Sequence, residues 1–166
     1  SAPNISADLI YTGALNNNNE ALYLFNNACQ LEDKVLAEPD WPAGNNTEKR
    51  SMERLDAVNW YTGIVNGTPR KENSPPSAST VVVVPPPTSS SSAPPPQPEP
   101  EPQPAQAIPI VVINEIAWMG TKANSADEWI ELYNNTASAI NLTDWPLNAA
   151  DGTPSITFST STVSAQ

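Results

Sequence analysis

Short runs rich in Ile, Val, Leu, Tyr and Trp recur along two stretches of the chain, each bounded by Asn, Gly, Asp or Pro. No stretch sustains a helical period, and runs of this length between turn formers predict β-strands. In the first stretch the pattern predicts strands over Leu9 to Leu15, Ala21 to Phe25 and Gln30 to Ala37. Asn16-Asn-Asn-Asn19 reads as a hairpin loop between the first two, because asparagine tolerates positive φ, and Asn26, Asn27 and Ala28 as the next turn. In the second stretch the apolar runs start at Ile110, Asp127, Ile140 and Ser155; Asn134 to Ser138 and Asp151-Gly152 mark turns between them. Many short strands at this spacing point to an all-β chain with a β-sandwich architecture.

Between the two stretches the composition shifts to Pro, Ser, Thr, Ala, Gln and Glu, including Pro85-Pro-Pro87 and Pro98-Glu-Pro-Glu-Pro102. Such a segment cannot bury enough apolar surface to offset its ordering entropy, so residues 75–109 are expected to be a disordered proline-rich linker. At about 3.1 Å per residue in a polyproline conformation it can span roughly 100 Å, which lets the flanking segments meet or stay apart. Val81-Val-Val-Val84 has strand propensity but is stopped by Pro85, and it reads as a short sticky patch gated by proline. The organisation is therefore a segment 1–74, a linker 75–109 and a segment 110–166. Together they supply one domain's worth of core, too little for two complete sandwiches.

The formal net charge of -11 with no histidine argues against nucleic acid as a partner, since phosphate binding needs clustered Lys and Arg. A single cysteine, Cys29, rules out an internal disulfide framework, and without histidine nothing marks it as a reactive thiol. No run approaches the ~20 apolar residues of a membrane span and no secretory leader is visible. The chain begins at Ser1 without methionine, the expectation for a mature product or an excised piece.

Candidate chemistry is sparse. Glu115, Glu128 and Glu131 lie within apolar strand runs, where paired carboxylates are the minimum set for acid-base work. No nucleophile elbow or phosphate-cradling glycine loop accompanies them. The favoured reading is structural: carboxylates accepting backbone or hydroxyl hydrogen bonds, or pairing with Arg50 or Arg54. Calcium is the one cofactor the composition suggests, with Asp127, Asp144 and Asp151 as oxygen donors, but their spacing matches no EF-hand loop. Of the five tryptophans, Trp129 and Trp145 read as core, whereas Trp41 and Trp60, set in loop-like sequence, are candidates for a binding aromatic surface. Asn-x-Ser/Thr acceptors occur at Asn4, Asn45, Asn66, Asn134 and Asn141, and the spacer has the composition of an O-glycosylated stalk; both matter only in a glycosylating host.

The motifs Ile113-Asn-Glu-Ile-Ala-Trp118, Asp127-Glu-Trp-Ile-Glu-Leu-Tyr-Asn134, Leu142-Thr-Asp-Trp145 and Asp151-Gly-Thr-Pro-Ser-Ile-Thr-Phe158 resemble the opening half of a lamin tail domain. Asp144 stands where that family usually has glycine. Ala7-Asp-Leu-Ile-Tyr-Thr-Gly-Ala-Leu15, Trp41-Pro-Ala-Gly44 and Lys49-Arg-Ser-Met-Glu-Arg54 resemble the closing half of its bacterial forms. The resemblance implies an immunoglobulin-like β-sandwich, incomplete or circularly permuted. The family's further apolar strand between these halves has no counterpart before the chain ends, so an open sheet edge is expected. An excerpt from tandem domains is the simpler origin and a natural permutation its rival. The family has no intrinsic enzymatic activity, and its bacterial members are modules of exported or envelope-attached proteins. The implied function is a non-catalytic structural or adhesion module, secreted or at the cell surface. Its partners would be proteins or cell-wall polymers, with self-association through the open edge. The alternative is an accessory targeting or substrate-binding region of an extracellular hydrolase or nuclease.

Overall fold

A computed structural model describes residues 5–74 and 109–165; the Val81 to Val84 patch and the linker lie outside the described residues. The described residues contain ten strands and no helix, so none is long and apolar enough to cross a membrane. From the first segment come β1 (Asn18–Phe25), β2 (Leu31–Asp40), β3 (Arg50–Arg54) and β4 (Trp60–Val65). The second supplies β5 (Val111–Ala117), β6 (Trp129–Asn134), β7 (Ile140–Asn141), β8 (Pro146–Ala149), β9 (Ser155–Thr157) and β10 (Thr162–Val163).

The two segments interleave in both main sheets. One sheet has the order β2-β1-β8-β9 and the other β4-β3-β5-β6, with a small β10-β7 pair beside them. The junctions between segments are antiparallel: β1 meets β8 with Leu22 opposite Ala149 and Leu24 opposite Leu147, and β3 meets β5 with Met52 opposite Ile116. Alternation along each strand then sends one set of side chains inward. Leu22, Leu24, Val35 and Ala37 from one sheet meet Met52, Ile113 and Ile116 from the other, with Leu142, Trp145, Leu147 and Phe158 completing a shared core. The chain is thus an all-β, immunoglobulin-like sandwich whose single core draws on both segments. Each large side chain fully buried stabilises by about 1.5–3 kcal/mol. Closing the connection between the segments adds only a term logarithmic in its length, on the order of a few kcal/mol in all. A handful of cross-segment contacts therefore outweighs it.

The start of the chain departs from the sequence pattern. Leu9 to Leu15 forms no strand, although Leu9 and Tyr11 pack against the core. Its backbone is bent at Gly13 (φ 107), and the Leu15 N–H is taken by the Glu128 carboxylate at 2.7 Å, a side-chain acceptor in place of a ladder carbonyl. Asn16 to Asn19 is accordingly no hairpin loop. β1 begins at Asn18, and Asn19 (φ 50) sits at a register shift that kinks the strand as a bulge does. The first hairpin is instead β1-β2. Its turn is held by Asn26, whose Oδ1 accepts N–H groups of Ala28 (3.0 Å) and Gln30 (3.1 Å) while exposed Cys29 occupies the left-handed region (φ 58).

Candidate functional site

The side chains that alternate with the core on β3, β5 and β6 include one carboxylate from each strand. Glu53 stands opposite Glu115 and Glu115 opposite Glu131, a row across the sheet face that points away from the core. A bulge at Asn114 keeps Glu131 in that row after Ile113 has paired with Leu132. Glu53 and Glu115 are fully buried because residues 66–74, following β4, cross this face as a strap. The strap supplies the donors that buried carboxylates need. The Thr68 N–H reaches the Glu115 carboxylate at 3.0 Å and its hydroxyl donates at 3.1 Å, with the Ser51 hydroxyl as a further donor. Glu53 accepts from the Ser74 N–H (2.5 Å), the Ser74 hydroxyl (2.8 Å) and the Tyr61 hydroxyl (2.8 Å). Glu131 accepts from the Arg70 N–H (2.6 Å) and from Asn114 Nδ2 (2.9 Å). Gly67 (φ 65) is required at the start of the strap, since a Cβ there would lie 2.3 Å from a Glu115 oxygen.

Burial governs the electrostatics of this face. It raises the Glu115 carboxyl to about 7, against the hydrogen bonds from Ser51 and Thr68, with Glu53 adding to the rise. Burial likewise raises Glu131 despite its donors, and the Tyr61 phenol is raised by burial and by its bond to Glu53. Beside the row, Arg54 forms a buried ion pair with Asp33 at 2.5 Å, and its guanidinium lies 4.6 Å from the Trp60 ring centroid. Desolvation raises Asp33 and lowers Arg54, each opposed by its partner's charge. The three glutamates read from sequence are thus bound by hydrogen bonds. The expected pairing with Arg50 or Arg54 does not occur: Arg50 pairs with Glu48 and Arg54 with Asp33. Sequence reasoning missed Glu53 and the strap donors Thr68 and Ser74. The usable signal was Glu53 alternating with Met52 in a strand run, followed by hydroxyl residues after the Asn66-Gly67 turn.

Trp41 is not a surface aromatic. It is buried, stacks on Trp118 with centroids 6.4 Å apart, and donates its Nε1–H to the Asn16 carbonyl at 2.8 Å. Its loop-like sequence context hid the core beneath it. Trp60 is half-buried at the start of β4 and keeps part of its ring at the surface under Arg54. Trp145 is in the core and Trp129 packs against it. The three aspartates sit in separate turns. Asp127 accepts the Thr121 hydroxyl at 3.0 Å, Asp144 adopts φ 65 where glycine is the usual residue, and Asp151 binds the Thr153 N–H at 2.8 Å. Among the described residues no three His, Cys, Asp or Glu side chains gather to hold a metal. Of the glycosylation acceptors, Asn134 is buried with its Nδ2 donating to three carbonyls, whereas Asn141 and its sequon Thr143 are exposed or half-buried.

The sheet edges differ in how they are guarded. β2 carries Glu32, Asp33, Lys34, Glu38, Pro39 and Asp40, and β9 has only three residues. β4 neighbours β3 alone and reads Trp-Tyr-Thr-Gly-Ile-Val, without charge or proline. Ile64 and Val65 on it, and Leu55 and Val58 in the turn before it, are exposed. An uncharged edge of this kind is open to strand addition. No curated protein and no solved structure matches the chain. Residues 104–166, the part that supplies β5 to β10, match the family model for the Lamin Tail Domain, so the resemblance in the second segment's motifs is a family match.

Proposed function

We propose that this chain is a non-catalytic structural or adhesion module of an exported or cell-surface bacterial protein, in which residues 1–74 supply the closing half of a lamin-tail-like sandwich and residues 110–166 the opening half. Its work is binding. The observation that carries this reading is the β4 edge: six uncharged residues, with Ile64 and Val65 among them exposed and exposed Leu55 and Val58 just before them, on a chain of net charge -11 whose edge strand β2 is charged and proline-guarded and whose edge strand β6 carries Glu131. An extended strand from another protein chain, a second copy included, can add there by main-chain hydrogen bonds without bringing like charges together. The buried carboxylates support a non-catalytic reading, since Glu53 and Glu115 are sealed from solvent with their oxygens already engaged.

Sedimentation velocity across a concentration series, with amide exchange of β4 in parallel, tests the edge. Association accompanied by new protection at Trp60 to Val65, and lost in Ile64→Lys, is the expected result. A chain that stays monomeric, or associates with unchanged β4 exchange, would remove strand addition from the reading. Reading the complete gene tests the setting. An adjoining catalytic domain would make the sandwich an accessory region of an extracellular hydrolase or nuclease, while further sandwich repeats would support the adhesion module.

A further inference from the structure

At one end of the sandwich, loops from both segments enclose an open cleft of about 310 Å³, the lower end of the range for small-molecule sites. Its floor is apolar, made by Trp118 and Met119, both buried; its rim carries the exposed amides of Asn17 and Asn46. Two opposite charges line it, Lys49 and Glu128. Lys49 opposes the rise that burial imposes on Glu128, but among the described residues they form no ion pair. Each is anchored by only part of its bonding capacity. The Lys49 ammonium donates to the Met119 carbonyl (2.7 Å) and to Asn46 Oδ1 (2.6 Å), leaving one of its three N–H groups. Glu128 accepts the Leu15 N–H on Oε2 (2.7 Å), and Oε1 takes no hydrogen bond among the described residues.

A cleft with one spare donor on a cation, one spare acceptor on an anion and an apolar floor selects its ligand by elimination. An anion alone leaves Glu128 unmatched and meets a chain of net charge -11, a cation alone leaves Lys49 unmatched, and a neutral polar molecule can bond to both but brings no charge to either, whereas a zwitterion sets charge against charge at both. We propose that this cleft binds the zwitterion of an apolar α-amino acid, its carboxylate on Lys49, its ammonium on Glu128 Oε1 and its side chain over Trp118 and Met119. The site goes beyond the edge-binding function, sharing no residue with β4, and its test is independent of strand addition.

L-leucine is the probe, titrated into the whole chain and followed by two-dimensional amide and indole NMR. Saturable shifts at Lys49, Trp118 and Glu128, with a Kd on the order of 1 mM, are expected. N-acetyl-L-leucine, which lacks the ammonium, and L-leucine methyl ester, which lacks the carboxylate, should each bind at least about tenfold more weakly. Lys49→Met and Glu128→Gln should each lower leucine affinity by a similar factor while keeping the dispersed β-sheet spectrum. Should either variant fail to fold, the two blocked leucines decide alone. Absence of saturable shifts with leucine, or equal binding of either blocked form, would overturn the proposal.

Discussion

Replacing Glu115 by Gln isolates the cost of holding a charge beneath the strap. The change is nearly isosteric, and the new side chain fits the donors already present. Its oxygen can accept the Ser51 hydroxyl and the Thr68 N–H, and its amide can donate to the Thr68 hydroxyl oxygen in place of accepting from it. What it removes is titration. The carboxyl is raised from an ordinary 4.5 to about 7 by burial, so between those values the folded chain holds a proton that the unfolded chain has released. Stability from this group is therefore fully present below pH 4.5, is lost as pH rises through 7, and stays flat above. At 1.36 kcal/mol per pH unit the interval is worth ~3 kcal/mol, a large share of a typical stability of about 5–15 kcal/mol. Urea unfolding of both proteins between pH 4 and 8 measures it. The variant should match the native chain near pH 4 and exceed it near pH 8 by up to ~3 kcal/mol. A gap that does not change with pH, or a variant weaker at pH 8 than at pH 4 relative to the native chain, would refute the reasoning. It would mean that the donors from Ser51 and Thr68 outweigh desolvation and that Glu115 is held as a stabilised anion.

Arg54→Met leaves Asp33 buried without its cation, and denaturant unfolding should show a loss of about 3–5 kcal/mol at neutral pH. The loss should shrink as the pH falls, because Asp33, already raised by burial, then protonates. Asn134→Asp removes donors to the carbonyls of Ser138, Val163 and Ser164, and should cost at least about 1–3 kcal/mol and release the β10-β7 pair to faster amide exchange. Residues 1–74 and 108–166 expressed separately should each lack a cooperative transition, and mixing them should restore one; independent folding of either piece would contradict the shared core.

What the sequence exposed was the element type, because short apolar runs between Asn and Gly turns carry that information locally, and the family of the second segment, which its motifs resemble. Trp145 was legible as core because Leu142-Thr-Asp-Trp145 resembles the family's core signature, and it is buried. Trp41 was not. Its burial depends on Trp118, a residue from the other segment, and on the Asn16 carbonyl, contacts that no local pattern encodes. The same distinction explains Leu9 to Leu15, where strand propensity was overridden when Glu128, more than a hundred residues away, captured the Leu15 N–H. The glutamates divide along that line too. Their hydrogen bonding was expected from the resemblance, but their partners were not legible, since the donors sit on a strap folded over from after β4 and Arg54 is committed to Asp33. Where two segments share one core, the features that sequence hides are those made across the junction between them. The Lys49 and Glu128 cleft is of that kind, with one charge supplied by each segment and neither carrying a motif that announces it.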